Sequence, residues 1–417
     1  MIMNQLEILK YYSRPEIQNA MLSVAKNREV VGSVKDGSYL KRPDTLLYPK
    51  DIVERVKKDA VAFHFSVERW TQPMQLSPNL TPKDLDNLRK GWDLIIDIDS
   101  KTRLEHAVAG VKVIYSFLKD LGIKPTIKFS GSRGFHIGIS NEAFPEKIDY
   151  KETSKRYPEI PQTLAEYIRE KIKDHLLEEL IAVEGGVAAL VKTVHSVSEL
   201  SPYSFIEIEK GWGNRHLFRA PYSLHPKHWL VSLPLTFENL KNFKSEDARP
   251  DKVKSDVEFL VNREDEATEF LLQALDWKAK QPKEITKEVR IRSKNKKVIP
   301  EDLFPPCMKL ILNGLQDGKK RSLFSLLAFL RAANWSQENI EKRIMEWNMK
   351  NPQPLSNRFV KTQLKWHFRQ SRELMPANCY SDLFYVSIGV CKPDQYCWKN
   401  PVNYSFKVMR KNKNMKK

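Results

Sequence analysis

Asp93-Leu94-Ile95-Ile96-Asp97-Ile98-Asp99 sets carboxylates against aliphatic side chains with a period of two, which is the pattern of a strand with two unlike faces. Asp97 and Asp99 then project to one side while Ile96 and Ile98 point to the other. Two carboxylates roughly 6–7 Å apart on one strand face repel each other by about 2–3 kcal/mol at an effective dielectric near 20. A cation between them relieves that repulsion. A hard divalent ion with oxygen ligands, Mg²⁺ or Mn²⁺, suits both the pair and phosphate chemistry. An isolated D-x-D fits a solvated strand face as well, so the flanking sequence has to decide.

Downstream, Thr102 to Gly122 carries apolar residues at helical spacing, Leu104, Val108, Val111, Ile114, Leu118 and Leu121, with Gly122 as a stop. A strand over Thr126-Ile127-Lys128-Phe129 leads into Ser130-Gly131-Ser132-Arg133-Gly134-Phe135-His136, and a second strand follows over Ile137-Gly138-Ile139. Glycines in such a turn let the backbone approach a ligand and present N–H groups to an anion. Arg133 and His136 add charge-assisted bonds to phosphate oxygens. A plain turn is the alternative.

Further out, Phe205-Ile206-Glu207-Ile208-Glu209 again puts two carboxylates on one strand face. After it come Arg215, His216, Arg219, His225 and Lys227, bases that suit phosphate. Acid to hold metal and base to neutralise a triphosphate is what nucleotidyl transfer needs; a mixed-charge surface hairpin is the alternative. Between the two acidic strands, 150–195 reads as a helical insert with a core stripe of Leu164, Ile168, Ile172 and Leu176. Upstream, Leu6, Ile8, Leu9, Tyr11 and Tyr12 open an apolar helical face. Val61 to Val67 alternates as a strand with His64 and Ser66 on one face, where His64 reads as structural.

The 417 residues carry 70 Lys and Arg against 52 Asp and Glu, a net charge of +18. That makes a polyanion the first partner to expect, and with no 18-residue apolar run or signal peptide the expectation is nucleic acid in the cytoplasm, with no membrane. A basic linker is expected over 277–300, with Lys287, Arg290, Arg292, Lys294, Lys296 and Lys297. Residues 301–417 hold 21 Lys and Arg against 9 Asp and Glu, so two thirds of the excess charge sits there. Helices are expected over Cys307–Leu315, Leu323–Ala333 and Gln337–Met349, the last capped by Ser336. Trp335, Trp347, Trp366, Phe368, Tyr380, Tyr385, Tyr396 and Trp398 alternate with the bases. Stacking plus charge serves single-stranded nucleic acid, although most such rings belong to a core. All four cysteines fall in this region, spaced C-x71-C-x11-C-x5-C. No pair has zinc-ribbon spacing and His367 is the region's only histidine, which suits an iron–sulfur cluster better than zinc.

Taken together, the first ~240 residues resemble the catalytic small subunit of archaeal and eukaryotic DNA primases. Asp97-Ile98-Asp99 is similar to its metal-binding D-x-D, Ser130 to His136 to its S-G-x-R-G-x-H segment, and His216-Leu217-Phe218-Arg219-Ala220-Pro221-Tyr222-Ser223-Leu224-His225-Pro226-Lys227 to its H-L-x-(R/K)-x-P-x-S-x-H-x-K segment. Counted back from His216, the family's third metal-binding Asp falls on Glu207, with Glu209 as the alternative. Residues 304–404 resemble the C-terminal iron–sulfur domain of the primase large subunit. Phe304-Pro305-Pro306-Cys307-Met308-Lys309, Met375-Pro376-Ala377-Asn378-Cys379, Gly389-Val390-Cys391 and Asp394-Gln395-Tyr396-Cys397 carry the four ligand positions. Two departures stand out: the first half has no cysteine for the small subunit's zinc knuckle, and there is little room for the large subunit's docking domain. A fusion makes docking unnecessary, because a tether keeps the two sites at high effective concentration.

The resemblance implies an α+β primase domain over 1–276, of mixed sheets with flanking helices, and a mainly helical iron–sulfur domain over 301–417. It implies de novo primer synthesis on single-stranded DNA. Asp97, Asp99 and Glu207 would hold Mg²⁺ or Mn²⁺, and Ser130, Arg133, His136, Arg219 and His225 would grip the triphosphate. Cys307, Cys379, Cys391 and Cys397 would ligate a [4Fe–4S] cluster. Lys319, Lys320 and Arg321 are candidates for the initiating nucleotide's 5′-triphosphate. The expected partners of this monomer at the replication fork are template, nucleoside triphosphates, RNA/DNA primer duplex and replisome proteins. The rival readings are a primer-extending polymerase for repair or a mobile element, and a non-catalytic, cluster-bearing single-strand-binding protein.

Overall fold

The computed structural model describes residues 3–193, 200–281, 298–369, 374–379 and 382–414. The chain forms two compact units, Met1–Glu284 and Ile285–Lys417. The linker bases from Lys287 to Lys297, the ring of Tyr380 and the last two residues of the 150–195 insert lie outside the described residues.

The first unit is built on two larger antiparallel sheets, with two two-stranded ribbons, Glu68–Trp70 with Arg89–Trp92 and Lys147–Ile148 with Lys151–Glu152, beside them. The strands of the two larger sheets, in chain order, are β1 (Val30–Ser33), β2 (Ala62–Ser66), β3 (Leu94–Ser100), β4 (Thr126–Phe129), β5 (Gly134–Ile139), β6 (Ile206–Ile208), β7 (Leu217–Arg219) and β8 (Pro234–Leu235). One sheet has the order β1-β2-β7 and the other β6-β3-β5-β4-β8. The acidic stretch is therefore an inner strand of the larger sheet. Ile96 and Ile98 are fully buried, and the helix Leu104–Asp120 packs against β3 and β5, as the alternation requires. Behind it runs Glu159–Glu184, whose Leu164, Ile168, Ile172 and Leu176 are buried in the same core.

In this unit several sequence expectations change in detail. The strand expected from Ile137 starts at Gly134, because Phe135 pairs with both Ile98 and Phe129 in the sheet interior. The helix Thr268–Lys280 runs past the boundary drawn at 276, held by Trp277 packing on Tyr167 with ring centroids 5.7 Å apart. Near the N-terminus, Ile8, Tyr11 and Tyr12 are buried on the helix Gln5–Tyr12, but Leu6 is 59% exposed.

Ionic ties inside the core fix the entry to β3. Asp93, one residue before the strand, is buried and paired with Arg28 and with Arg69, whose Nη2 lies 2.7 Å away. The Asn141 backbone N–H adds a 2.8 Å bond. Glu68 pairs with Arg89 at 3.1 Å, both side chains fully enclosed. Breaking one partner of such a pair strands the other charge in a low dielectric, so these positions tolerate little change.

The second unit is helical among its described residues: Pro306–Leu312, Lys319–Ala332, Gln337–Lys350, Asn357–Arg369 and Pro401–Asn414. Lys319–Ala332 begins four residues before the expected start at Leu323, which places Lys319, Lys320 and Arg321 in its first turn. Ser336 caps the next helix by accepting from the Asn339 N–H at 3.2 Å. Trp347 is fully buried and its indole donates to the Ile311 carbonyl at 2.7 Å; Tyr385 is buried too. Trp366 and Trp398 stay 41% and 61% exposed. No helix among the described residues is long and apolar enough to cross a membrane.

Candidate active site

Antiparallel register decides which acids meet. Asp97 stands opposite His136, and His136 opposite Lys128. One residue past β6, the Glu209 N–H donates to the Asp97 carbonyl at 2.9 Å. Directly opposed residues share a sheet face, so Glu209, Asp97, His136 and Lys128 form one row across four chain segments. The neighbouring row is Glu207, Asp99 and Gly134.

A cavity of about 320 Å³ opens over these rows. Asp97, Asp99, Ser130, Arg133, His136 and Glu209 line it from the larger sheet, and His64, Arg219 and His225 line it from the smaller sheet and the loop beyond β7. Tyr39 and His216 complete the walls. Every residue assigned to the triphosphate from sequence thus reaches one space. Glu209, not Glu207, lines it beside the two aspartates. The count back from His216 lands on Glu207, which the register sets directly opposite Asp99 on the same face, while Glu209 falls beside Asp97.

The cavity is polarised. Burial, and then the charges of Asp99 and Glu209, push the Asp97 carboxyl well above its ordinary pKa. Asp97 Oδ1 is buried without a hydrogen bond among the described residues, 3.4 Å from His136 Nε2. Burial, followed by the nearby charges of Lys128 and Arg219, holds His136 neutral. Burial works against protonation of His216, yet its contact with Glu209 at 3.3 Å raises its pKa above the usual value.

Lys128, read from sequence only as a strand residue, is fully buried and donates to Ser232 Oγ at 2.8 Å. Burial and then Arg219 push its pKa far down. His64, read as structural, faces the cavity directly opposite Arg219. The signal for it was the alternation of β2 itself, whose polar face carries both His64 and Ser66. Arg215, read as a base for phosphate, is instead paired with Glu29, and Lys227 is exposed outside the cavity lining.

The two motif glycines answer to protein packing. A Cβ at Gly134 would collide with Asp99 Oδ1 and lie 2.5 Å from the Ile98 carbonyl oxygen, so only glycine lets the acidic strand come this close to β5. Gly131 has φ +91°, and a Cβ there would stand 3.1 Å from that of His225.

His225 Nδ1 accepts from the Lys227 and His228 backbone N–H groups at 3.2 and 3.3 Å. That fixes the neutral tautomer with the proton on Nε2, available as a donor. Burial, then Arg219 and His228, lower its pKa to about 3. The unfolded chain, with an ordinary histidine pKa near 6.5, binds this proton first. His225 therefore opposes folding as pH falls from about 6.5 toward 3, by about 2 kcal/mol at pH 5. Urea unfolding of the full chain at pH 7 and pH 5 should show that loss, and His225→Gln should remove most of its share; an unchanged pH slope in the variant would refute the assignment.

The donor set suits a hard cation: three carboxylates on adjacent segments, one with a buried oxygen that accepts no hydrogen bond among the described residues. Among the described residues no three His, Cys, Asp or Glu side chains already close around a common point. An open set of this kind matches Mg²⁺, which is held by one or two carboxylates and takes substrate phosphates for the rest.

In the second unit the four cysteines are half-buried and form no disulfide. Burial first, and then Cys379, Cys397 and Cys391, raise the Cys307 thiol to about 12. Burial, then Cys397 and Cys391, raise Cys379 to about 11. The other three thiols thus lie close enough to act on Cys307 electrostatically. The Asp394 N–H donates to Cys397 Sγ at 3.4 Å, the kind of bond that tunes cluster sulfurs. A cluster spreads its ligands over several irons, so its thiolates need not meet at one point. Arg321 Nη1 donates to Ser387 Oγ at 3.2 Å, and Lys320 Nζ lies 5.2 Å from the Phe359 ring centroid.

Residues 96–237 match the DNA primase small subunit family. The uncharacterized protein MJECS07 of Methanocaldococcus jannaschii is 22% identical over 307 residues, covering 65% of this chain and 63% of that protein. The DNA primase small subunit PriS of Pyrobaculum aerophilum is 29% identical over 190 residues, 38% of this chain and 57% of its own length. The chain thus spans under two thirds of either relative. Among solved structures, the polymerase domain from Mycobacterium tuberculosis ligase D in complex with DNA overlaps 66% of this chain and 89% of that one, at 13% identity and a TM-score of 0.36, too loose a likeness to bear on the fold. Sequence relatives and family match together support an archaeo-eukaryotic primase catalytic domain in the first unit, over residues 96–237.

Proposed function

We propose that the chain is a DNA primase, a nucleotidyltransferase that starts short strands de novo on single-stranded DNA from nucleoside triphosphates. The observation that carries this reading is one cavity in which Asp97, Asp99 and Glu209 face Arg133, Arg219, His136 and His225. Asp97, Asp99 and Glu209 would hold Mg²⁺ or Mn²⁺, with Glu207 next in line on the same face. Bound there, a divalent ion would lower the barrier to attack by the 3′-hydroxyl and neutralise the departing pyrophosphate.

The remaining work falls to the chain's own side chains. Arg133 and Arg219 neutralise the triphosphate. The His225 Nε2–H donates to a phosphate or sugar oxygen. Neutral His136 stands beside Asp97 without adding a competing cation. In the transfer, a hydroxyl group loses its proton to water, its oxygen bonds to the α-phosphorus, and the bond from that phosphorus to the α,β-bridging oxygen breaks, so that pyrophosphate leaves with that oxygen.

The second unit serves as an iron–sulfur domain on Cys307, Cys379, Cys391 and Cys397. Its basic surface, with Trp366 and Trp398 exposed, takes the template by stacking and charge, and Lys319, Lys320 and Arg321 take the initiating 5′-triphosphate. Partners are template, nucleotides and the primer duplex.

Incubating the full chain with template and nucleotides but no primer tests this reading. Products that vanish with EDTA and return with Mg²⁺ or Mn²⁺ are expected. Extension of a supplied primer with nothing formed in its absence would favour a primer-extending polymerase. DNA binding with no synthesis under either condition would leave only a binding protein.

A further inference from the structure

Two loops wall the cavity: one lies outside the motifs, and the other lies outside them except for its last residue, His216, which opens the His216–Lys227 segment. One runs from Val34 to Asp44 and carries Tyr39, whose ring meets the His64 ring edge-on with centroids 5.2 Å apart. The other links β6 to β7 and carries His216, which contacts Glu209. Both are tied to one carboxylate. Glu29, just before β1, is fully buried. Arg42 donates to its two oxygens at 2.7 and 2.9 Å, and Arg215 at 3.0 and 2.5 Å. Arg42 Nη2 also donates to the Arg215 carbonyl at 3.1 Å, joining the loops directly.

Paired two-point contacts fix orientation as well as distance. Arg42 lies three residues from Tyr39, and the Tyr39 segment is in turn zipped to β1 through the Ser33–Tyr39 bridge and the Leu40 N–H to Gly32 carbonyl bond of 2.8 Å. Arg215 immediately precedes His216. Its φ of +59° is a left-handed conformation disfavoured for a side-chain-bearing residue, which persists where the surroundings fix it. With Glu29 neutralised, two guanidiniums face each other inside the protein with no anion between them, and the loops are pushed apart.

We propose that Glu29 is a positioning residue for nucleotide binding: through Arg42 and Arg215 it holds the Tyr39 and His216 walls at the separation a nucleoside triphosphate needs. The inference rests on the nucleotide-polymerising reading of the cavity. Glu29 touches no reacting atom, so its loss shows in nucleotide affinity and not in turnover. Burial would raise the Glu29 carboxyl, but the two guanidiniums outweigh it and hold the group below its ordinary range, so the clamp stays charged at neutral pH.

The test measures KM for the nucleoside triphosphate and kcat in the full chain, for the parent, Glu29→Gln, Glu29→Asp and Arg42→Gln, with the unfolding temperature of each. Arg42 is 30% exposed and its removal leaves the Glu29–Arg215 pair, so Arg42→Gln keeps the test open where Glu29→Gln fails to fold. Expected are a KM raised about tenfold in Glu29→Gln and Arg42→Gln with kcat within about threefold of the parent, and partial recovery in Glu29→Asp. An unchanged KM in Arg42→Gln, or a fallen kcat at unchanged KM, overturns the proposal while a working parent keeps the functional reading. A parent that polymerises nothing overturns both.

Discussion

Asp97→Ala and Asp99→Ala should each cut nucleotide incorporation by about a thousandfold or more while DNA binding stays near the parental level. A catalytic ion contributes several kcal/mol of charge stabilisation in the transition state, and each 1.36 kcal/mol is about tenfold in rate. Both side chains lie on the cavity face of β3, and Asp97 carries the buried oxygen without a hydrogen-bond partner among the described residues. Removing either also lowers the repulsion within the carboxylate group, so the folded state should not suffer. The same series separates the two glutamates. Glu209 lines the cavity next to Asp97, so Glu209→Ala should approach the aspartate variants. Glu207→Ala should cost about tenfold or less, a shift of charge near the ion rather than loss of a ligand. Incorporation assays with matched anisotropy titrations on single-stranded DNA read both quantities. Parental rates in Asp97→Ala would remove the metal assignment, and a deeper lesion at Glu207 than at Glu209 would restore the count from His216.

If the second unit carries the proposed iron–sulfur cluster, Cys307→Ser should abolish it. The parent, purified without air, is expected to carry about four irons per chain, as one cubane demands, and the variant close to none. Cys307 lies in the first turn of Pro306–Leu312 and packs against the unit's core, whereas Cys379, Cys391 and Cys397 come from the irregular chain before Pro401–Asn414. A group bonded to all four joins distant parts of the sequence, so its loss should also lower the unfolding temperature of this unit. In the absence of a metal the thiol stays protonated, since burial and its neighbours raise it to about 12. Iron and sulfide content and a melting curve on the same preparation settle the matter. Equal iron in parent and variant would free Cys307 from the ligand set, and an iron-free parent would remove the cluster altogether.

The sequence was most informative where a property depends on near neighbours along the chain. Alternation alone put Asp97 and Asp99 on one face and Ile96 and Ile98 in the core. The fourfold spacing of Leu164, Ile168, Ile172 and Leu176 described a helix that is present, and Ser336 marked a cap. It misled where a residue's partner lies far off. Arg215 looks like a phosphate ligand until Glu29, 186 positions away, engages it. Leu6 looks like core until the helix is seen to turn that side to solvent. The glycines of the Ser130–His136 segment look like a ligand's approach path, yet Gly134 makes room for Asp99. Lys128 looks like an ordinary strand residue, because nothing local says that it will be fully enclosed.

By itself, then, the order of residues determined which groups could do chemistry here: paired acids, a glycine-bearing turn with Arg133 and His136, a basic segment with Arg219 and His225, and four widely spaced cysteines. Only the fold decided which of them meet. Strand pairing set Glu209 rather than Glu207 beside Asp97, brought His64 opposite Arg219, and let one buried carboxylate clamp two loops. Side-chain direction within a strand is a local steric consequence of the backbone, whereas pairing register is fixed by the whole core at once and is written in no single segment.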